Sequence, residues 1–171
     1  MRSLANDSHP EYRQIALLSP QGDPIVHSGA NIKPVSGHIS GIDCVAVGNF
    51  LANNNVLGAM KTAFSAPAQP GSNEPAFTER LVAALEAGKE SGGQAGSDNA
   101  QLPERSAALL VSTPGERFPL NIRIDFSTDA ISDLKRALDA YQPMHQYYLN
   151  RADDPTELPS QDEWIKKLNQ M

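Results

Sequence analysis

The stretch that decides the fold is IDCVAVGNFLANNNVLGAMKTAF, residues 42–64. Its first seven residues are mostly apolar and predict a strand, and Leu57, Met60 and Phe64 then recur at the spacing of one helical face. A strand therefore passes into a helix, predicted over residues 50–64, at Gly48 and Asn49. Asn49 is expected to cap that helix. Alternatively, its amide and the neighbouring backbone N–H groups bind an anion or a developing oxyanion.

The segments on either side of this stretch predict further strands and helices. Residues 14–28 predict a β-hairpin, because two apolar runs flank the turn residues at 20–24. A second helix is predicted from residue 77 to the glycines at 88–93, and a third over 131–141, which Pro143 should end or kink. Strands are predicted at 107–111 and 120–126, and loops at 29–41, 65–76 and 91–104. This order favours an α+β layered fold over an alternating parallel sheet.

Charge and composition exclude several classes of function. The formal net charge is −6, so the chain lacks the basic excess that nucleic acid requires, and nucleic acid is not an expected partner. No apolar run approaches the roughly 20 residues of a membrane span, and the first residues contain no apolar signal segment. We therefore expect no membrane contact and a cytoplasmic protein. The single Cys44 is expected in the core, and four dispersed histidines predict no metal site and no cofactor.

Three further polar residues are candidates for binding a substrate. His38 lies in the Gly- and Ser-containing segment 29–41 and is predicted to occupy a flexible loop. Arg123 and Asp125 are two residues apart on a strand with alternating hydrophobicity, so both side chains leave the same face. They form either a solvated ion pair or a pair that orients a substrate.

The sequence also resembles a bacterial family known as domain of unknown function 1028. Tyr12-Arg13-Gln14 with Gly22 is similar to the family's first hairpin, and Gly48-Asn49 with Leu51 is similar to its G-N-x-L motif. The blocks that resemble the family follow one another in the family's order, at residues 12–22, 28–38, 47–60, 79–93, 105–111 and 122–125. The resemblance covers about residues 11–141.

The resemblance implies an N-terminal-nucleophile (Ntn) hydrolase-like αββα sandwich, in which two sheets lie between two helix layers. Residues 11–150 would form this domain. The sequence itself predicts a linker and a short C-terminal helix over residues 151–171, because Ser160 with Glu163 matches a capping box. In active proteins of that fold class, a terminal Thr, Ser or Cys attacks an amide carbonyl and its own α-amine acts as the base. The resemblance implies a small amide or peptide-like substrate, with Gly48 and Asn49 near the reacting group and Arg123 as an anchor.

The sequence also departs from the family pattern at its start. Family members begin with Met-Thr or Met-Ser on a first strand, whereas the matched region here follows only a short polar segment. We therefore expect a domain incomplete at its N-terminus, with amide-bond hydrolysis as the ancestral chemistry and this chain inactive. The alternative is a non-catalytic binding or assembly module on the same scaffold. Unpaired strand edges in an incomplete sandwich predict a homo-oligomer.

Overall fold

The computed structural model describes residues 4, 6–19, 22–67, 76–115, 119–168 and 170. These residues form an α+β fold with eight strands and four α-helices, which confirms the predicted fold class. They divide into two compact units, Met1–Glu104 and Arg105–Met171. In the described part of the chain, no helix is both long enough and apolar enough to span a membrane.

Two antiparallel hairpins form the strand layer of the first unit. Strand β1 (Gln14–Ser19) pairs with β2 (Gly22–Ser28), as predicted, and β3 (Gly37–Gly41) pairs with β4 (Cys44–Gly48). Residues 20 and 21 of the predicted turn lie outside the described residues. The prediction of a loop over 29–41 is wrong for β3. This segment has two glycines and no apolar alternation, so only its pairing with β4 makes it a strand.

Two helices complete the first unit. Helix α1 (Asn55–Phe64) contacts β3, β4 and helix α2 (Phe77–Glu90). Helix α2 ends at Glu90, within the predicted range of residues 88–93. Gly88 itself lies inside the helix and is buried, and a Cβ atom there would lie 2.8 Å from Cγ of Met60. This glycine therefore permits close packing of the two helices.

The core of the first unit lies where α1 covers the β3–β4 hairpin. Leu51, Val56 and Leu57 are buried, and half-buried apolar residues pack against them, namely Val35, Ile39, Ala46 and Met60. Cys44 is only partly buried, so the expectation of a core cysteine is met in part. The predicted loop 91–104 contains a short hairpin, β5 (Gln94–Ala95) with β6 (Gln101–Leu102). Residues 68–75 of the predicted loop 65–76 lie outside the described residues.

The second unit contains a hairpin and two helices. Strand β7 (Ala107–Val111) pairs with β8 (Leu120–Ile124), and helix α3 (Ala130–Asp153) contacts both. Leu134 and Leu138 of α3 are fully buried. Of the two predicted effects of Pro143, an end of the helix is wrong, since α3 continues for ten residues beyond it to Asp153, and a kink stays a prediction. The predicted division at residue 150 stays a prediction, and its boundary lies inside α3.

A capping box starts the last helix, α4 (Gln161–Leu168), as the sequence predicts. The backbone N–H of Ser160 donates to Oε2 of Glu163 at 2.9 Å, and the N–H of Glu163 donates to Oγ of Ser160 at 3.3 Å. The indole N–H of Trp164 then donates to the carbonyl of Pro143 at 3.2 Å, and its ring packs on Tyr147. These contacts attach α4 to the second half of α3.

Candidate functional site

The turn that follows β4 is held on two sides by backbone hydrogen bonds. The N–H groups of Phe50 and Leu51 donate to the carbonyls of Lys33 and Val35, at 3.2 and 2.9 Å. On the other side, the N–H of Ala52 donates to the carbonyl of Gly93 at 3.0 Å, and the carbonyl of Phe50 accepts from Ala95 at 2.7 Å. The turn is therefore a fixed platform between two neighbouring segments.

These bonds correct the expected role of Asn49 as a helix cap. Helix α1 begins at Asn55, so its N-cap is Asn54, whose side chain makes no capping hydrogen bond. The N–H groups of residues 50–52 already donate to protein carbonyls and are not available to an anion. The prediction of an anion site at the start of a helix is therefore wrong in its geometry. The helix was predicted to start at residue 50 but begins at Asn55, because backbone hydrogen bonds to neighbouring segments hold residues 50–52 outside the helix.

Gln14 organises the polar side chains around this turn. Its Nε2 group lies 3.2 Å from Oγ of Ser28 and 3.1 Å from each of the carbonyl oxygens of Gly37 and Gly48. All three partners are oxygens, so the amide nitrogen must face them and the amide oxygen must face the other way. One side chain of β1 thereby joins β2 to both strands of the second hairpin.

The orientation of Gln14 determines the orientation of Asn49. Oε1 of Gln14 is an acceptor, so Asn49 presents Nδ2 to it, and the two atoms are 3.0 Å apart. The carbonyl of Asn49 accepts from Nε2 of Gln94 at 3.1 Å. Within the described residues, Oδ1 of Asn49 accepts no hydrogen bond. Asn49 is half-buried, and its oriented amide oxygen remains to accept an N–H group from a ligand.

Gly48 and His38 lie at the same end of the β3–β4 hairpin as Asn49. Gly48 pairs with Gly37, and the next pair along the ladder is His38 with Val47. A Cβ atom on Gly48 would lie 2.8 Å from Cδ2 of the buried Leu51, so glycine allows the strand to approach the core closely. His38 is exposed on a regular strand, and the prediction that it occupies a flexible loop is wrong.

Arg123 and Asp125 belong to the second unit, where Arg123 lies on β8 and Asp125 follows it. Nη2 of Arg123 is 2.8 Å from Oδ1 of Asp125, and both side chains are more than half exposed. The hydrogen bond that Arg123 donates to the carboxylate of Asp125 raises the pKa of Arg123 above its ordinary value. The solvated ion pair, one of the two alternatives, is the arrangement observed. Its use in substrate binding stays a prediction.

The described residues contain no group of three His, Cys, Asp or Glu side chains that could hold a metal ion. A recess of about 560 Å³ lies at the opposite end of the β3–β4 hairpin from Asn49. Its lining residues are Leu18, Ser19, Asp23, Pro24, Gly41, Ile42 and Asp43. None of the predicted site residues lines it.

Gln14 is a site residue that was not predicted from the sequence. The available signal was a glutamine that opens an otherwise apolar strand within the Tyr12-Arg13-Gln14 block. Its partners lie 14, 23, 34 and 35 residues away along the chain. Spacing within one segment cannot reveal such contacts, because they exist only after the two hairpins have packed.

The chain is similar to a known family and to a solved crystal structure. A family described as "Family of unknown function (DUF1028)" matches residues 1–134. The crystal structure of protein SPO2555 from Silicibacter pomeroyi, described with the same family, is similar at 31% sequence identity with a TM-score of 0.67. The match covers 82% of this chain and 57% of that chain, so this chain spans little more than half the length of that protein. No curated protein matches the sequence.

Proposed function

Because the chain belongs to the DUF1028 family, we propose that it is an Ntn-hydrolase-like protein whose Gly48–Asn49 turn binds a small amide or peptide-like substrate. The proposed scaffold is an αββα sandwich, and the proposed ancestral chemistry is hydrolysis of an amide bond. The observation that supports binding is the oriented amide of Asn49. Nδ2 is engaged by Gln14 at 3.0 Å, and within the described part of the chain Oδ1 accepts nothing.

An amide substrate suits this group for a chemical reason. A substrate amide presents both an N–H donor and a carbonyl acceptor, and the oxygen of Asn49 can accept the first of these. A hydrogen bond donated to a restrained side chain requires little ordering of the protein on binding, and Gln14 already restrains Asn49. Hydrolysis would require a nucleophile, a base and donors to the oxyanion besides this contact.

The alternative is a non-catalytic binding or assembly module. The observation that favours it is the environment of Ser28, the hydroxyl joined to this network. Its Oγ lies 3.2 Å from Nε2 of Gln14, which is a donor and cannot remove a proton. Among the described residues, no imidazole or carboxylate contacts Ser28 Oγ as a base. Binding without turnover is consistent with this arrangement.

A titration with N-acetylglycinamide tests the binding site. In ¹H–¹⁵N NMR spectra we expect this probe to shift the side-chain amide signals of Asn49 and Gln14. Asn49→Leu keeps a similar volume but removes the amide, and the probe should then no longer shift the side-chain signal of Gln14. Asn54→Ala is the matched control, since Asn54 is an exposed amide nearby whose side chain caps nothing. Shifts that persist in Asn49→Leu would disprove the assignment.

Turnover separates the two functions. Parent protein incubated with an N-acyl amino-acid p-nitroanilide should release yellow p-nitroaniline if the chain is a hydrolase, and Asn49→Leu should reduce the rate. Binding of N-acetylglycinamide at Asn49 without release of p-nitroaniline would favour the binding module.

A further inference from the structure

Phe50 combines a strained backbone with an exposed aromatic side chain. Its φ angle is 55°, in the left-handed region that a bulky residue rarely adopts. Glycine occupies this region without steric cost. The Phe50 side chain is nevertheless large, and 40% of the residue is exposed. This position therefore carries a bulky side chain that its backbone conformation disfavours.

The backbone of Phe50 is fixed by its neighbours and does not depend on its ring. Its N–H donates to Lys33 at 3.2 Å, and its carbonyl accepts from Ala95 at 2.7 Å. A glycine could make both of these main-chain bonds with less strain. Within the described residues, no aromatic ring or cation stacks on the ring of Phe50. Neither the turn nor a stacking partner accounts for a phenyl group at this position.

We infer that Phe50 determines substrate specificity by offering its ring to an apolar side chain of the amide bound at Asn49. This inference rests on the proposed function. Strain in a backbone that the surrounding structure over-determines is characteristic of ligand-binding positions. A small-molecule site typically combines apolar surface with one or two oriented polar groups, and Phe50 and Asn49 provide these as adjacent residues. The substrate class is therefore an amide that carries an aromatic or large aliphatic side chain.

Two probes that differ only in side chain test this inference. N-Acetyl-L-phenylalaninamide and N-acetylglycinamide share the amide groups, so the ratio of their dissociation constants isolates the side chain. Contact between the rings of the probe and of Phe50 should make the parent bind the phenylalanine probe about five-fold more tightly than N-acetylglycinamide. Phe50→Gly should reduce this ratio to about one by weakening the binding of the phenylalanine probe.

Two further variants separate binding from folding. Phe50→Leu keeps apolar bulk at the same strained position and should stay folded, with a melting temperature close to the parent's and a reduced ratio. Ile42→Ala is the control, because Ile42 is 88% exposed at the opposite end of the same hairpin, and it should keep the full ratio.

The outcomes distinguish failure of this inference from failure of the proposed function. If both probes bind equally at Asn49 in the parent, or if folded Phe50→Leu and Phe50→Gly keep the five-fold preference, Phe50 does not determine specificity and the amide site stands. If neither probe shifts the signal of Asn49 in the parent, the amide site is wrong and the inference about Phe50 is overturned with it.

Discussion

Removal of the Gln14–Asn49 hydrogen bond should destabilise the first unit by an amount that the structure allows us to work out. A neutral hydrogen bond contributes about 0.5–1.5 kcal/mol, and a buried partner left unpaired costs about 1–3 kcal/mol. The contact is partly buried, so water replaces part of what is lost. We expect Asn49→Ala to lower the free energy of unfolding by about 1 kcal/mol. Gln14→Ala also removes the hydrogen bonds to the carbonyls of Gly37 and Gly48, and should lower the free energy of unfolding by about 2–3 kcal/mol.

The double variant provides the sharper test. Gln14→Ala already breaks the bond to Asn49, so adding Asn49→Ala should cost little more. The coupling energy should be about 1 kcal/mol, within the range found for residues in direct contact. Urea denaturation followed by circular dichroism measures all four proteins, with a constant m-value as the check on two-state unfolding. Asn54→Ala is the control and should change stability by less than about 0.5 kcal/mol.

Asn49→Asp adds a pH dependence with a definite sign. Its carboxylate would face Oε1 of Gln14, an acceptor, so only the protonated acid could donate across this contact. The folded-state pKa of the new carboxyl should therefore lie above its unfolded value of about 3.9. The stabilising contact is present below that unfolded value and is lost as the pH rises through the folded pKa. The proposed network would be refuted if the stability losses of Gln14→Ala and Asn49→Ala were additive in the double variant. It would also be refuted if Asn49→Asp and the parent were equally stable at pH 7.

Three other measurements test separate parts of the structure. Gly48→Ala should destabilise the protein by about 1–3 kcal/mol, because the added methyl group overpacks the core. Gly58→Ala should stabilise it by about 0.5–1 kcal/mol, because the space around its Cβ position is open. Thermal melts of the two variants and the parent test both predictions. The hydrogen bond from the backbone of residue 160 holds the pKa of Glu163 below its ordinary value, so capping is present above about pH 4.3 and lost as pH falls further. Acidification should therefore shift the fluorescence of Trp164, the single tryptophan, and Glu163→Gln should remove this pH dependence. Leu17 is exposed on the hairpin β1–β2, so we propose self-association at micromolar concentration, which Leu17→Lys should weaken; light scattering that finds a monomer for both proteins would contradict it.

Local patterns in the sequence were sufficient wherever one segment decides its own structure. The β1–β2 hairpin, the strands β7 and β8 and the cap of α4 follow from apolar alternation, turn residues and a Ser–Glu spacing of three. The apolar face of α1 was also evident, because Leu57, Met60 and Phe64 recur with the helical period. In each case the physical signal lies within about one helical turn or one hairpin, so no distant residue was needed to predict it.

The tertiary structure alone decided the features on which the site depends. Strand β3 forms because β4 supplies its hydrogen-bond partners. Gly88 lies inside a helix, where the absence of a Cβ atom lets Met60 of the neighbouring helix pack closely. The side-chain amide of Asn49 does not cap a helix. It is oriented by a hydrogen bond that it donates to Gln14, 35 residues away along the chain. The sequence by itself determined the α+β class and most helices and strands through short-range periodicity. The orientation of the site depends on hydrogen bonds between residues far apart along the chain, which form only when the hairpins have packed.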